Sequence, residues 1–196
     1  MATRNVVLAI VALGTFALIW NHSSIAASFP MSAATTDSAA APAVADLEFS
    51  LAQSSAEPTK LKVTLTNTHA SSTMTILDWN TPLDPLAPNL GVVHIVNSET
   101  GKEVEIPRIM VNRKMPPPRV DLVELAPGQS ETREILLEGP RVSLEKGTRY
   151  EVNVSGNYMA VWASPSEQVG ETELNQLSGG TAMSGQYESE KVAFEI

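Results

Sequence analysis

The sequence predicts an all-β fold, an antiparallel sandwich of about seven to nine short strands. Three observations carry the prediction. Apolar and polar residues alternate with the two-residue period of a half-buried strand at Leu61–Asn67, where Leu61, Val63 and Leu65 interleave with Lys62, Thr64 and Thr66, and again at Tyr150–Val154. Turn-forming clusters recur roughly every 8 to 12 residues. Beyond the N-terminal run, helix signals are nearly absent.

The chain opens with Arg4 and an uncharged apolar run from Val6 to Trp20, followed by the small residues Ser24-Ile25-Ala26-Ala27. This is the pattern of a secretory signal, assigned to residues 1–26, and the run falls short of the roughly 18 to 20 apolar residues that span a bilayer. Residues 27–45 are dominated by Ala, Ser, Thr and Pro with Asp37 as one charge, too little apolar surface to offset ordering entropy. They read as a flexible leader. From Asp46 to Ile196 about 150 residues remain, enough for one sandwich domain. The chain has no cysteine, so burial and not disulfides must hold that domain in an oxidising compartment.

Within 46–196 the first strand is expected at Leu47–Leu51 and the second at Leu61–Asn67. Asn67–Ser72 (NTHASS) is polar and rich in turn formers, predicting a hairpin that returns through Met74, Ile76 and Trp79. Pro82, Pro85 and Pro88 then remove backbone donors and start a rigid connector. Gly91–Asn97 is a nearly continuous apolar strand, and Asn97–Lys102 turns it into a second hairpin with Val104–Val111, where Pro107 argues for an edge or a bulge. Asn112–Arg119 sets Arg113, Lys114 and Arg119 beside Pro116, Pro117 and Pro118, as a stiff, exposed, positive loop. A short strand is expected at Asp121–Leu125; Thr132–Glu138 fits strand or helix on so short a run, and the Ala126–Gln129 turn before it favours strand. Tyr150–Val154 is expected to reverse at Ser155-Gly156 into Asn157–Ala163. Ser164–Gly185 reads as a long loop and Gln186–Ile196 as a terminal strand.

Three segments in matching order, TLTNTHASSTMTILDWNTPLD (64–84), Ile109–Arg113 and Leu125–Ser130, resemble the non-catalytic N-terminal domain of deuterolysin-like and peptidyl-Lys metalloendopeptidases. That domain is an immunoglobulin-like sandwich preceding the zinc domain, and the resemblance covers roughly residues 46 to 155. It implies an immunoglobulin-like fold. The family's His-Glu-x-x-His motif does not occur in this sequence, so its catalytic activity is not carried over.

Chemistry-bearing patterns are thin. His22 falls in the signal, His69 in a turn and His94 in a strand, none with a second His two or four residues away, and zinc needs three or four converging ligands. No metal or other cofactor is expected. No Gly-x-Ser-x-Gly elbow is present, and a Ser–His–Asp arrangement is recognisable by geometry alone. Gly179, Gly180 and Gly185 lack phosphate-loop spacing. The net charge of −9, which becomes −10 when the signal takes Arg4 away and leaves 12 basic against 22 acidic residues, speaks against nucleic acid.

The function expected from the sequence is a secreted, non-enzymatic, immunoglobulin-like binding module. By the resemblance it would act as a stand-alone prodomain, chaperoning or inhibiting a deuterolysin-like metalloendopeptidase or binding another extracellular protein. Its candidate contact residues are Trp79, Thr81, Pro82 and Leu83, at the proline-rich exit, with Arg113, Lys114 and Arg119; packing is the stronger reading of Trp79 itself. One alternative is a carbohydrate- or surface-binding sandwich, which requires exposed aromatics on a sheet face. A second is a truncated metalloendopeptidase, and an enzyme with a site in Ser164–Gly185 would lack paired catalytic residues. Asn153-Val154-Ser155 is an N-glycosylation sequon whose Asn153 alternates away from the core.

Overall fold

Two antiparallel sheets close on the main hydrophobic core. The computed structural model describes residues 40–139 and 142–196, which fall within one compact unit, Ser38–Ile196. The signal assigned to residues 1–26 and most of the leader lie outside the described residues. β1 (Leu47–Ala56) and β2 (Thr59–Asn67) form a hairpin about Glu57-Pro58, and β2 also pairs with β6 (Ser130–Leu136), giving the order β1-β2-β6. The alternation read from the sequence is realised here. Leu61, Val63 and Leu65 are buried, while Thr64 meets Thr132 at 2.9 Å and Thr66 meets Ser130 at 2.8 Å on the opposite, wet face.

The expected hairpin across Asn67–Ser72 is not formed. β3 (Met74–Leu77) leaves β2 and lies in the second sheet between β5 (Leu122–Leu125) and β7 (Arg149–Trp162). All four residues of β3 are buried, a pattern that suits a central strand covered on both faces and not a hairpin arm with one wet face. Asn67 explains the corner. Its Nδ2 donates to Ser72 O at 2.8 Å and Leu125 O at 2.9 Å, and its Oδ1 accepts from His69 N at 3.0 Å, so one buried amide ties both sheets where the chain crosses. His69 Nδ1 then accepts from Ser71 N and Ser72 N, which closes the turn.

β7 also corrects an expectation. The predicted reversal at Ser155-Gly156 does not occur, and the strand runs through it for 14 residues. Gly156 serves close approach: a Cβ built there would lie 2.5 Å from the Tyr187 hydroxyl, which passes over it to donate to Asn80 O at 2.8 Å. β4 (Val93–Asn97) and β3 flank one edge of β7, while β8 (Met183–Glu188) and β9 (Val192–Glu195) flank the other. The single terminal strand expected at Gln186–Ile196 is thus two strands. At the break, Ser189 Oγ accepts from Val154 N at 3.0 Å and so spares the β7 ladder an unpaired donor.

The second expected hairpin shrinks to the bridge Val96–Glu103 and one bond from Val104 N to Ile95 O. Beyond it residues 105–118 run without strand structure, since Pro107, Pro116, Pro117 and Pro118 have no backbone donor to offer. The loop Ser164–Gly185 is packed. It contains a short helix, α1 (Glu171–Gln176), and Val169, Leu174 and Leu177 cover Leu77, Trp79, Ala160 and Trp162 in a second small core. The main core lies between the sheets, where Leu61, Val63, Leu65, Met74, Ile76, Ile95, Val152 and Val154 meet.

Candidate functional site

Residues 78–84 leave β3 through consecutive turns, with Thr81 N bonded to Asp78 O and Asp84 N to Thr81 O, both at 3.0 Å. Asn80 takes a left-handed φ of 57°, a conformation asparagine tolerates better than most residues. The turns fold the segment inward. Trp79 is 2 % exposed and donates its indole N–H to Asp121 Oδ2 at 2.6 Å, while Thr81 Oγ1 donates to Asp78 O at 2.6 Å.

Charges from three parts of the chain converge here. Asp84 is buried, accepts from Leu86 N at 2.9 Å and Asn80 N at 3.2 Å, and forms an ion pair with Arg113. The Arg113 guanidinium also lies over the Trp79 ring, 5.3 Å from its centroid, in cation–π geometry. Arg133, on β6 in the other sheet, reaches Asp78 Oδ2 at 3.3 Å and donates to Leu83 O. Asp78 itself is 3 % exposed and its Oδ1 has no hydrogen-bond partner. Burial pushes its carboxyl up to about 6, assisted by the nearby Asp121 and Asp84 and opposed by Arg133.

The contact residues expected from sequence are therefore redistributed. Trp79, Thr81, Pro82 and Leu83 are all buried and cannot present an exposed contact surface; Trp79 packs in the second core under Arg113, Leu83 packs in the main core, and Thr81 is tied to Asp78 O. Packing is the role the sequence favoured for Trp79. Nor is Asn112–Arg119 a free positive loop. Arg113 is clamped by Asp84, and Arg119 donates to Ser166 O at 2.8 Å and Val169 O at 3.0 Å, which holds the chain over the second core. Lys114 remains exposed.

What the segment does present was missed by charge alone: Met110 is 100 % and Val120 81 % exposed, with Met115 partly so. The signal was there in Ile109–Val111, three apolar residues in a stretch without strand partners. Asn153 sits half-buried on β7 opposite His94, with Val152 and Val154 turned into the core as the alternation requires. Among the described residues no group of three or more His, Asp or Glu side chains could hold a metal ion, and the Asp78–Asp84 pair is matched by arginines.

The chain matches the model of an immunoglobulin-like domain over residues 46–196. It is also 41 % identical over 137 residues to an uncharacterised secreted protein of Arthroderma benhamiae, a match covering 69 % of this chain and 68 % of that one. Neither match names a metalloendopeptidase. The chain belongs to the immunoglobulin-like domain family and is a secreted protein.

Proposed function

We propose that this secreted member of the immunoglobulin-like family acts by binding another extracellular protein, through the segment Ile109–Val120. One observation carries the reading: this segment lacks strand structure yet is held at Asn89, Asp84 and Ser166, and it projects the fully exposed Met110. An anchored loop has already lost its conformational freedom, so docking costs less, and a flexible thioether fits an apolar recess of irregular shape. Lys114 adds positive charge beside it on an acidic protein, which favours a partner whose recess has an acidic rim. The partner class to test first is a deuterolysin-like metalloendopeptidase, as the resemblance implies, with the chain contributing a contact and no zinc chemistry of its own.

The sugar-binding alternative needs exposed aromatic rings, and the described aromatics Phe49, Trp79, Tyr150, Tyr158, Trp162, Tyr187 and Phe194 are all buried. Titration of the purified chain against a deuterolysin-like metalloendopeptidase, by calorimetry, tests the proposal. Saturable binding that weakens at least tenfold in Met110→Asp is expected, in line with the loss of one interface hot spot. No saturation at micromolar concentrations removes that partner class, and equal binding by Met110→Asp removes the surface.

A further inference from the structure

Three residues distant in sequence meet on the outer face of β4 and β7. Ser155 Oγ lies 3.0 Å from His94 Nε2, and His94 Nδ1 lies 3.3 Å from Glu103 Oε1. The topology places them. His94 is opposite Asn153 in the β4–β7 ladder, and Ser155, two residues further along, shares that face and becomes the diagonal neighbour of His94. The turn after β4 brings Glu103 back: Asn97 Oδ1 accepts from Glu99 N and Thr100 N, and Glu103 bridges Val96.

The contacts fit one neutral tautomer of His94. An ionised Glu103 only accepts, so His94 Nδ1 holds its proton toward the carboxylate and Nε2 turns a lone pair to the Ser155 hydroxyl. That is the tautomer of a general base. We propose that Ser155, His94 and Glu103 form a nucleophilic hydrolytic site for small carboxylic esters, with Ser155 the nucleophile, His94 the general base and Glu103 a positioning residue. This goes beyond the binding reading and does not depend on it. Ser155 borders a surface groove of about 580 Å³ whose walls include Leu90, Val92, Ile109 and Met159, apolar surface suited to an acyl or alkyl chain.

In the reaction, Ser155 Oγ attacks the ester carbonyl carbon as its proton passes to His94 Nε2. The tetrahedral intermediate collapses, the ester C–O bond breaks, and the departing alkoxide takes the proton from His94. Water, deprotonated in turn by His94, cleaves the acyl–Ser155 bond, releasing the acid and restoring the hydroxyl. The Ser155 amide is bonded to Val92 O at 3.1 Å and so is not free to stabilise the oxyanion. Loss of one such donor costs about 10²- to 10³-fold in rate, so turnover is slow and favours activated esters.

The test exposes the purified full chain to a fluorophosphonate probe and maps the adduct by peptide mass spectrometry, beside p-nitrophenyl butyrate hydrolysis. An adduct on Ser155, formed at least tenfold more slowly in His94→Gln, is the expected result. For Glu103→Gln a tenfold lower kcat with unchanged KM, partly restored in Glu103→Asp, would identify positioning through the imidazole, since a loss of structure would not divide that way. No adduct after hours at millimolar probe, an adduct elsewhere, or His94→Gln labelled at the wild-type rate overturns the proposal.

Discussion

Two polar clusters differ in how their carboxylates meet water. In the knot of Asp78, Asp84, Arg113 and Arg133 both carboxylates are buried, each held by an arginine whose side chain stays 24 % (Arg113) or 31 % (Arg133) exposed. The Ser155–His94–Glu103 relay lies on the outer face, where the His94 side chain is 27 % and that of Glu103 63 % exposed. The difference teaches what burial does to ionisable groups. Desolvation turns carboxylates and guanidinium groups into structural clamps, because a lost partner strands a charge away from water. An exposed relay can lose a member at little cost in stability, and its groups stay open to chemistry.

The largest test of this contrast is Arg113→Ala, which leaves Asp84 buried without its cation. A loss of about 3 kcal/mol in unfolding free energy is expected, measured by urea denaturation. A loss under about 0.5 kcal/mol would mean that the backbone donors Asn80 N and Leu86 N suffice for Asp84.

Comparable in size is the pH response of Asp78. Its carboxyl is raised from 3.8 to about 6 in the folded state, so between those values the folded protein binds more protons than the unfolded chain. This contribution to stability is fully present below the unfolded value and is lost as pH rises through 6, by about 3 kcal/mol. Asp78→Asn should flatten that slope while leaving the Arg133 bond to Leu83 O in place. Denaturation midpoints at pH 4 and pH 7 that differ equally in variant and wild type would assign the slope to another group.

Gly156 joins the two clusters, since the Tyr187 hydroxyl crosses it to reach Asn80. Gly156→Ala should cost about 1–2 kcal/mol by displacing that ring, and the melting temperature reports it. The smallest effect is expected for Ser155→Ala, under about 1 kcal/mol, because the lost hydrogen bond is half wet. A larger loss would make the relay a structural element like the knot.

What was legible in the sequence was local. The alternation at Leu61–Asn67 and the outward direction of Asn153 follow from the two-residue period, which depends on neighbours alone, and the strands expected at Asp121–Leu125 and Thr132–Glu138 are found at Leu122–Leu125 and Ser130–Leu136. At the candidate contact surface, sequence reading named side chains that the structure packs away. Arg113 and Arg119 read as free cations because their partners, Asp84 and the carbonyls of Ser166 and Val169, lie 29 to 50 residues away. Trp79 is buried by Val169, Leu174 and Leu177, which come from a loop with no visible periodicity, and Leu83 by the main core.

By itself the sequence determined an all-β sandwich, the positions of most strands and the absence of disulfide support, because these follow from residue pattern and composition. Tertiary structure decided which strand pairs with which. β3 joins the second sheet because Asn67 pins the corner and both faces of the strand find apolar cover, and β7 passes straight through Gly156 because Tyr187 needs the space. The relay is a product of the same step: His94, Glu103 and Ser155 carry no shared motif, and register across β4 and β7 brings them together.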